Sequence, residues 1–224
     1  MDPETLSWLL SQMPLLRELH LLLLEQESRQ VPGHHIITRQ PGSVLEYYRM
    51  QSVFACSVVP LLFCHDTLRH IGITLRHKDD PEAREALIDT LRRTTFRRLQ
   101  SLRLDIRDDR MPEALAICLL EACPAVRMLE LYVRMVDAYE NFDTILRTCP
   151  RGLQKLAIVS SSANDRELQN VGTLTRIVDS SALWMPALRE LVLRRFSRLA
   201  DVDDVGPLRD ACRNRRIIFR LDSC

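Results

Sequence analysis

Cys56, Cys64, His65 and His70 are of the types that bind zinc, which takes thiolate and imidazole ligands. Structural zinc sites draw on closely spaced cysteine pairs, whereas seven residues of an apolar segment separate Cys56 from Cys64. That spacing suits buried thiols better than a metal. Asp201-x-Asp203-Asp204-x-Gly206 has the outline of a calcium loop, but Pro207 follows the glycine and the twelfth position is Cys212, where a bidentate glutamate is required. Capping of a helix before Leu208 accounts for these acids. Ser160-Ser161-Ser162 follows an expected strand without the Gly-x-Ser-x-Gly elbow of a nucleophile, so it reads as a polar loop. His34-His35, beside Pro32 and Gly33, reads as exposed loop. Glycine patterns for phosphate or dinucleotide binding are absent. An enzyme would have to use His20, His70 or Ser160 with no polar constellation around them, so no catalysis, metal or cofactor is expected.

Charge and composition narrow the classes further. The 224 residues are 46% hydrophobic, with 31 basic and 30 acidic side chains and a formal net charge of +1. That balance argues against nucleic-acid binding by bulk charge. All basic residues but Lys78 and Lys155 are arginine, which favours planar and stacked contacts. The clusters Arg92-Arg93, Arg97-Arg98, Arg194-Arg195 and Arg213 to Arg216 lie among acids and are read as helix caps or local pairs. The apolar run Val53 to Cys64 contains Pro60 and falls short of the ~20 residues needed to cross a bilayer, so no membrane association is expected. The start MDPETLSWLL has no basic n-region, and no glycosylation sequon occurs. With an odd seven cysteines, this implies reduced thiols and a cytoplasmic or nuclear location.

The elements that would position these side chains announce themselves as a repeat spaced Leu-x-x-Leu-x-Leu. It occurs as Leu16, Leu19, Leu21; Leu68, Ile71, Ile73; Leu99, Leu102, Leu104; Val126, Leu129, Leu131; Leu153, Leu156, Ile158; and Leu188, Leu191, Leu193. A degenerate last copy reads Asn214, Ile217, Phe219. Steps between the middle positions are 52, 31, 27, 27, 35 and 26 residues, close to the period of leucine-rich repeats. In x-Leu-x-Leu-x the two leucines point to one face of a short strand, and stacked copies make a parallel sheet over a shared aliphatic core.

Between the strands lie helix signals. Asp79-Asp80-Pro81 precedes Ala83, Leu87, Ile88 and Leu91; Asp109 and Pro112 precede Leu115, Ile117, Leu119 and Leu120. Asp137 precedes Ile145 and Leu146, and Asn164 precedes Leu174 and Val178. Ser43-Val44-Leu45-Glu46 has the form of a capping box. Cys123-Pro124, Cys149-Pro150 and Met185-Pro186 end helices. The expected fold is α/β: a single domain over 1–224, a solenoid of about seven short strands in right-handed βα units with helices on the convex face. Segment 25–67 reads as irregular or inserted, with room for one degenerate repeat.

CPAVRMLEL (Cys123 to Leu131) and CPRGLQKLAI (Cys149 to Ile158) resemble the cysteine-containing leucine-rich repeats found behind the F-box in F-box proteins. MPLLRELHL (Met13 to Leu21) and MPALRELVL (Met185 to Leu193) match with methionine in place of cysteine. The resemblance covers residues 13 to 221. It departs from many such repeats in lacking the asparagine three residues after the last leucine, where Leu24, Arg76, Arg107, Arg134, Ser161 and Phe196 stand, and in showing no F-box-like segment before the first strand. It implies the substrate-recognition part of an F-box-type ubiquitin ligase subunit, with a cullin-ligase adaptor as a further partner if an F-box exists elsewhere. The alternative is a free-standing repeat scaffold or inhibitor with no ligase role.

In either case the partner is another protein, held on the outward strand residues of the concave face. His70, Arg103, Asp105, Met128, Glu130, Tyr132, Lys155, Glu190 and Arg194 are the expected contacts, a mixture of types enriched at interfaces. Pro3 to Gln12 should partly shield the first strand. The last strand, Ile217 to Leu221, should be left with a bare edge that pairs with another chain or continues a longer solenoid.

Overall fold

The structure, a computed structural model, describes residues 3–21, 44–51, 58–74, 81–106, 113–133, 144–160, 167–195 and 205–222. In chain order these form α1 (Pro3–Gln12), β1 (Glu18–Leu21), β2 (Tyr47–Met50), α2 (Val58–Phe63), β3 (His70–Thr74), α3 (Pro81–Arg93), β4 (Ser101–Ile106), α4 (Glu113–Ala122), β5 (Met128–Val133), β6 (Lys155–Ser160), α5 (Glu167–Ser180), β7 (Glu190–Arg194), α6 (Gly206–Asn214) and β8 (Ile218–Asp222), with a helical turn at residues 144–147. All eight strands join one open parallel sheet in the order β1-β2-β3-β4-β5-β6-β7-β8, so each strand pairs with its neighbours in sequence. The fold is α/β, and its one-dimensional strand order is compatible with a solenoid.

Register shows why the repeat spacing matters. Leu19, Tyr48, Ile71, Leu102, Leu129, Leu156, Leu191 and Phe219 pair successively across the sheet, as do Leu21, Met50, Ile73, Leu104, Leu131, Ile158, Leu193 and Leu221. From β2 to β7 both rows are buried, together with helix residues Leu61, Leu87, Leu91, Leu115, Leu119, Leu174 and Val178 in one core. Two apolar side chains per strand point to the helix side, and the alternate residues point the other way. Successive helices touch along that side: α2 on α3, α3 on α4, α5 on α6. At the first strand Leu6 and Leu10 of α1 bury themselves against Leu16, Leu19, Leu21 and Phe63, so α1 covers that end of the core.

Entry into the strands is repeated as closely as the strands themselves. The Arg17 carbonyl accepts the N–H groups of Glu46 and Tyr47, and the Glu46 carbonyl those of Arg69 and His70. The carbonyls of Arg69, Gln100, Arg127 and Gln154 do the same for the next four strands. Just before each entry the chain turns at a buried soft or aromatic residue: Cys64, Phe96, Cys123, Cys149 and Met185. Cysteine suits this place because it is small, apolar and adaptable. The five described cysteines, Cys64, Cys118, Cys123, Cys149 and Cys212, are all buried free thiols.

Five expectations are corrected. The sheet has eight strands rather than about seven, because β2 carries a repeat inside the 52-residue step. Its apolar triplet is Leu45-x-x-Tyr48-x-Met50, all three fully buried, with tyrosine and methionine where leucines were sought. Hence Val44–Glu46 leads into a strand instead of capping a helix. The last repeat is displaced by two residues: Phe219, not Ile217, pairs with Leu191. Arg216 takes a left-handed conformation (φ 57°) ahead of β8, which lets the chain turn in at Ile217 before the strand starts. Finally, the N-cap of α6 is Val205, with no side-chain cap hydrogen bond, and Ser160 is a buried strand residue rather than loop. His34-His35, Cys56, Asp201 to Asp204, Ser161-Ser162, the acids and asparagine placed before α3, α4, residue 145 and α5, and the six positions after the last leucines lie outside the described residues, as does most of segment 25–67.

Candidate functional site

The sheet face turned away from the helices collects the expected contact residues in three registered rows. The first is Glu18, Tyr47, His70, Ser101, Met128, Lys155, Glu190 and Ile218. The second is His20, Arg49, Gly72, Arg103, Glu130, Ala157, Val192 and Arg220. A third, Thr74, Asp105, Tyr132, Val159, Arg194 and Asp222, begins at β3. Strands separated by about 4.8 Å bring side chains of one row within reach of each other.

Between β4 and β8 the charges form a lattice of two networks, one of Arg103, Glu130, Arg194 and Asp222 and the other of Lys155, Glu190 and Arg220. Arg194 Nη1 donates to Glu130 Oε1 at 2.8 Å and its Nε lies 3.4 Å from Asp222 Oδ2. To reach Glu130 on β5, Arg194 on β7 crosses β6, whose outward residues Ala157 and Val159 are small and end up 2% exposed beneath it. Arg103 approaches Glu130 from the other side at 4.0 Å and lies over the Tyr132 ring, 4.1 Å from its centroid, a cation–π contact. Glu190 sits between Lys155 at 3.1 Å and Arg220 at 3.2 Å; the Arg220 contact is electrostatic, its angle missing a hydrogen bond. Burial and the Glu130 carboxylate push the Tyr132 phenol above its ordinary range, against the pull of Arg103, Arg195 and Arg194. Above this lattice Met128 and Ile218 are exposed apolar side chains, 38% and 58% accessible.

All nine expected contacts thus fall on one face, and eight of them offer surface there. Asp105 is the exception, 5% exposed and engaged by the protein itself. The sequence reading missed Tyr47 and Arg49 because β2 went unrecognised, and Asp222 because of the two-residue displacement. The Leu45-x-x-Tyr48-x-Met50 spacing carried the signal for the first two.

Of the metal candidates, Cys56 lies outside the described residues, and Cys64 and His70 do not come together. Cys64 lies in the core on the helix side, whereas His70 lies on the open face, with the sheet between them. His65 Nδ1 stands 2.9 Å from the Leu62 carbonyl, and its Nε2 faces Asp66 at 3.4 Å. Among the described residues no three His, Cys, Asp or Glu side chains group as metal ligands, and no helix is long and apolar enough to cross a membrane. Burial pushes the Cys149 thiol up to about 12 and the Cys212 thiol, with help from Asp179, up to about 11. Such thiols resist ionisation and make poor nucleophiles. Of the arginine clusters, Arg92 pairs locally with Asp89 at 3.5 Å and Arg213 with Asp210 at 3.0 Å, whereas Arg194 reaches across β6 to Glu130 instead of pairing locally.

No family model, curated protein or solved structure matches the chain.

Proposed function

We propose that the chain is a leucine-rich-repeat protein whose open sheet face, the concave wall of an arc, binds another protein. The observation that carries this is the make-up of that face. Between β4 and β8 Arg103, Glu130, Tyr132, Arg194 and Asp222, and likewise Lys155, Glu190 and Arg220, are held in place by mutual pairing, with Met128 and Ile218 standing clear of them. A preorganised polar surface with a few apolar anchors loses little side-chain entropy on docking, which favours protein association.

The concrete form is the substrate-recognition part of an F-box-type ubiquitin ligase subunit, in the cytoplasm or nucleus. It is supported by the Cys-Pro units at Cys123 and Cys149 and by the buried turn position those cysteines occupy. Placing a photo-crosslinking residue at Met128, and in a separate variant at Leu183 (77% exposed, in the turn after α5), tests the reading. A specific partner should crosslink from Met128 only, and Arg103→Glu combined with Tyr132→Ala should abolish it with the fold intact. Equal yields from both positions would refute the assignment of the face. Co-purification of a cullin-ligase adaptor with that partner is the outcome that separates the ligase form from a simple scaffold.

A further inference from the structure

The open face is unevenly neutralised. On β5 to β8 Glu130, Lys155, Glu190, Arg194, Arg220 and Asp222 satisfy one another. On the β1–β4 side Arg103 is drawn toward β5, onto Tyr132 and Glu130. Arg49 is different: it has no hydrogen bond or ion pair with any described residue. Its stem leans from β2 across β3, so that a Cβ added to Gly72 would stand 3.3 Å from Arg49 Cγ. The nearby described acids are committed or turned away. Glu46 is 3.4 Å from Arg17, Asp105 is buried and engaged, and Glu18 lies on β1, on the side away from which Arg49 leans.

Beside Arg49 runs a row of three rings. His20 and Tyr47 have centroids 5.2 Å apart, Tyr47 and His70 6.0 Å apart, tilted by 31° and 35°. His20 is exposed, Tyr47 and His70 half-buried. A guanidinium without a counter-ion among the described residues, set along a ledge of planar rings, matches an extended peptide that carries an anionic group beside flat or apolar side chains.

We propose that this corner, Arg49 with His20, Tyr47 and His70, is a subsite for a carboxylate or phosphate on an extended segment of the protein partner. It rests on the partner-binding reading above and names the chemistry that the partner presents. The glycine at 72 leaves room for this placement, since a Cβ there would stand 3.3 Å from Arg49 Cγ and the arginine stem would have to shift by a few tenths of an ångström.

Fluorescence anisotropy on the full chain tests the subsite with three labelled peptides: hexaglutamate, a hexaserine with one phosphoserine, and hexaglutamine. At least one anionic peptide should bind saturably and the neutral one should not, and the better of the two identifies carboxylate or phosphate. Arg49→Gln should weaken binding about tenfold or more, the scale of a hydrogen bond to a charged group. Arg49→Lys should recover only part of it, because a point charge lacks the planar fork. Gly72→Ala should weaken it as well. Arg92→Gln, on the helix side, should leave it unchanged, with circular dichroism confirming the fold in each case. No saturable anionic binding, or equal affinities for the wild type, Arg49→Gln and Arg49→Lys, would overturn the subsite. Failure of the wider reading looks different: anion binding would still depend on Arg49 while no partner crosslinks at Met128.

Discussion

Replacing Glu130 by glutamine removes the anion that two arginines share and leaves the shape unchanged. Arg194 Nη1 is 2.8 Å from Glu130 Oε1, and the side chains are 41% and 20% exposed. At that separation the Coulomb term is about 1.5 kcal/mol in water and about 6 kcal/mol at an effective dielectric of 20. Partial exposure places the pair near the lower figure, and holding Arg194 across β6 costs side-chain entropy. A coupling of about 1 kcal/mol is expected, at the upper end of measured surface pairs because the contact is also a hydrogen bond. Arg103, at 4.0 Å and braced by Tyr132, should couple by a few tenths of a kcal/mol, on the order of an ordinary exposed pair. The assay is a double-mutant cycle of Glu130→Gln with Arg194→Met, read by urea denaturation at low and high salt. Salt should reduce the coupling without abolishing it. Coupling indistinguishable from zero at low salt, or larger for Arg103 than for Arg194, would refute the account of how this face is ordered.

Three further outcomes follow from the same structure. Leu129→Ala, at the centre of a registered row and fully buried, should cost about 3–4 kcal/mol in urea denaturation; Leu19→Ala, half-buried at the end of that row, should cost about half as much. Because burial holds the Cys149 thiol up to about 12 and the Cys212 thiol up to about 11, from an ordinary 9.0, the unfolded chain loses these protons first. The thiols' contribution to stability should therefore be constant below pH 9 and fall by about 1.4 kcal/mol per pH unit per thiol from there up to each folded value, and Cys149→Ala should show a shallower alkaline slope. Arg216, at φ 57°, should tolerate glycine with little change in melting temperature, whereas Arg216→Val should lose roughly 1 kcal/mol or more through the strained left-handed backbone.

The repeat was legible because burial acts on spacing: wherever leucine, isoleucine or valine filled the triplet, the strand appeared where the pattern placed it. It failed where other residues filled the same space. Tyr48 keeps its hydroxyl 3.7 Å from the Met50 sulfur, so a tyrosine can occupy a leucine's place without an orphaned polar group, and a search for aliphatic residues passes over it. The adjoining Ser43-Val44-Leu45-Glu46 then imitated a helix start, since local capping chemistry says nothing about whether a parallel neighbour is waiting. At the last repeat the left-handed Arg216 inserts a turn that apolar periodicity does not encode. The open face was legible by alternation alone, but not its partnerships. That Arg194 would span a whole strand depended on Ala157 and Val159 being small on the neighbouring strand, a relation between repeats rather than within one.

Strand order that follows chain order has a consequence for biogenesis. A ribosome delivers α1 and β1 before the strands that follow them, and every later unit emerges beside a platform already built. No segment must wait for a distant partner still to be synthesised, and loop closures stay short. Assembly can proceed vectorially, as a growing stack whose newest surface alone is sticky at any moment.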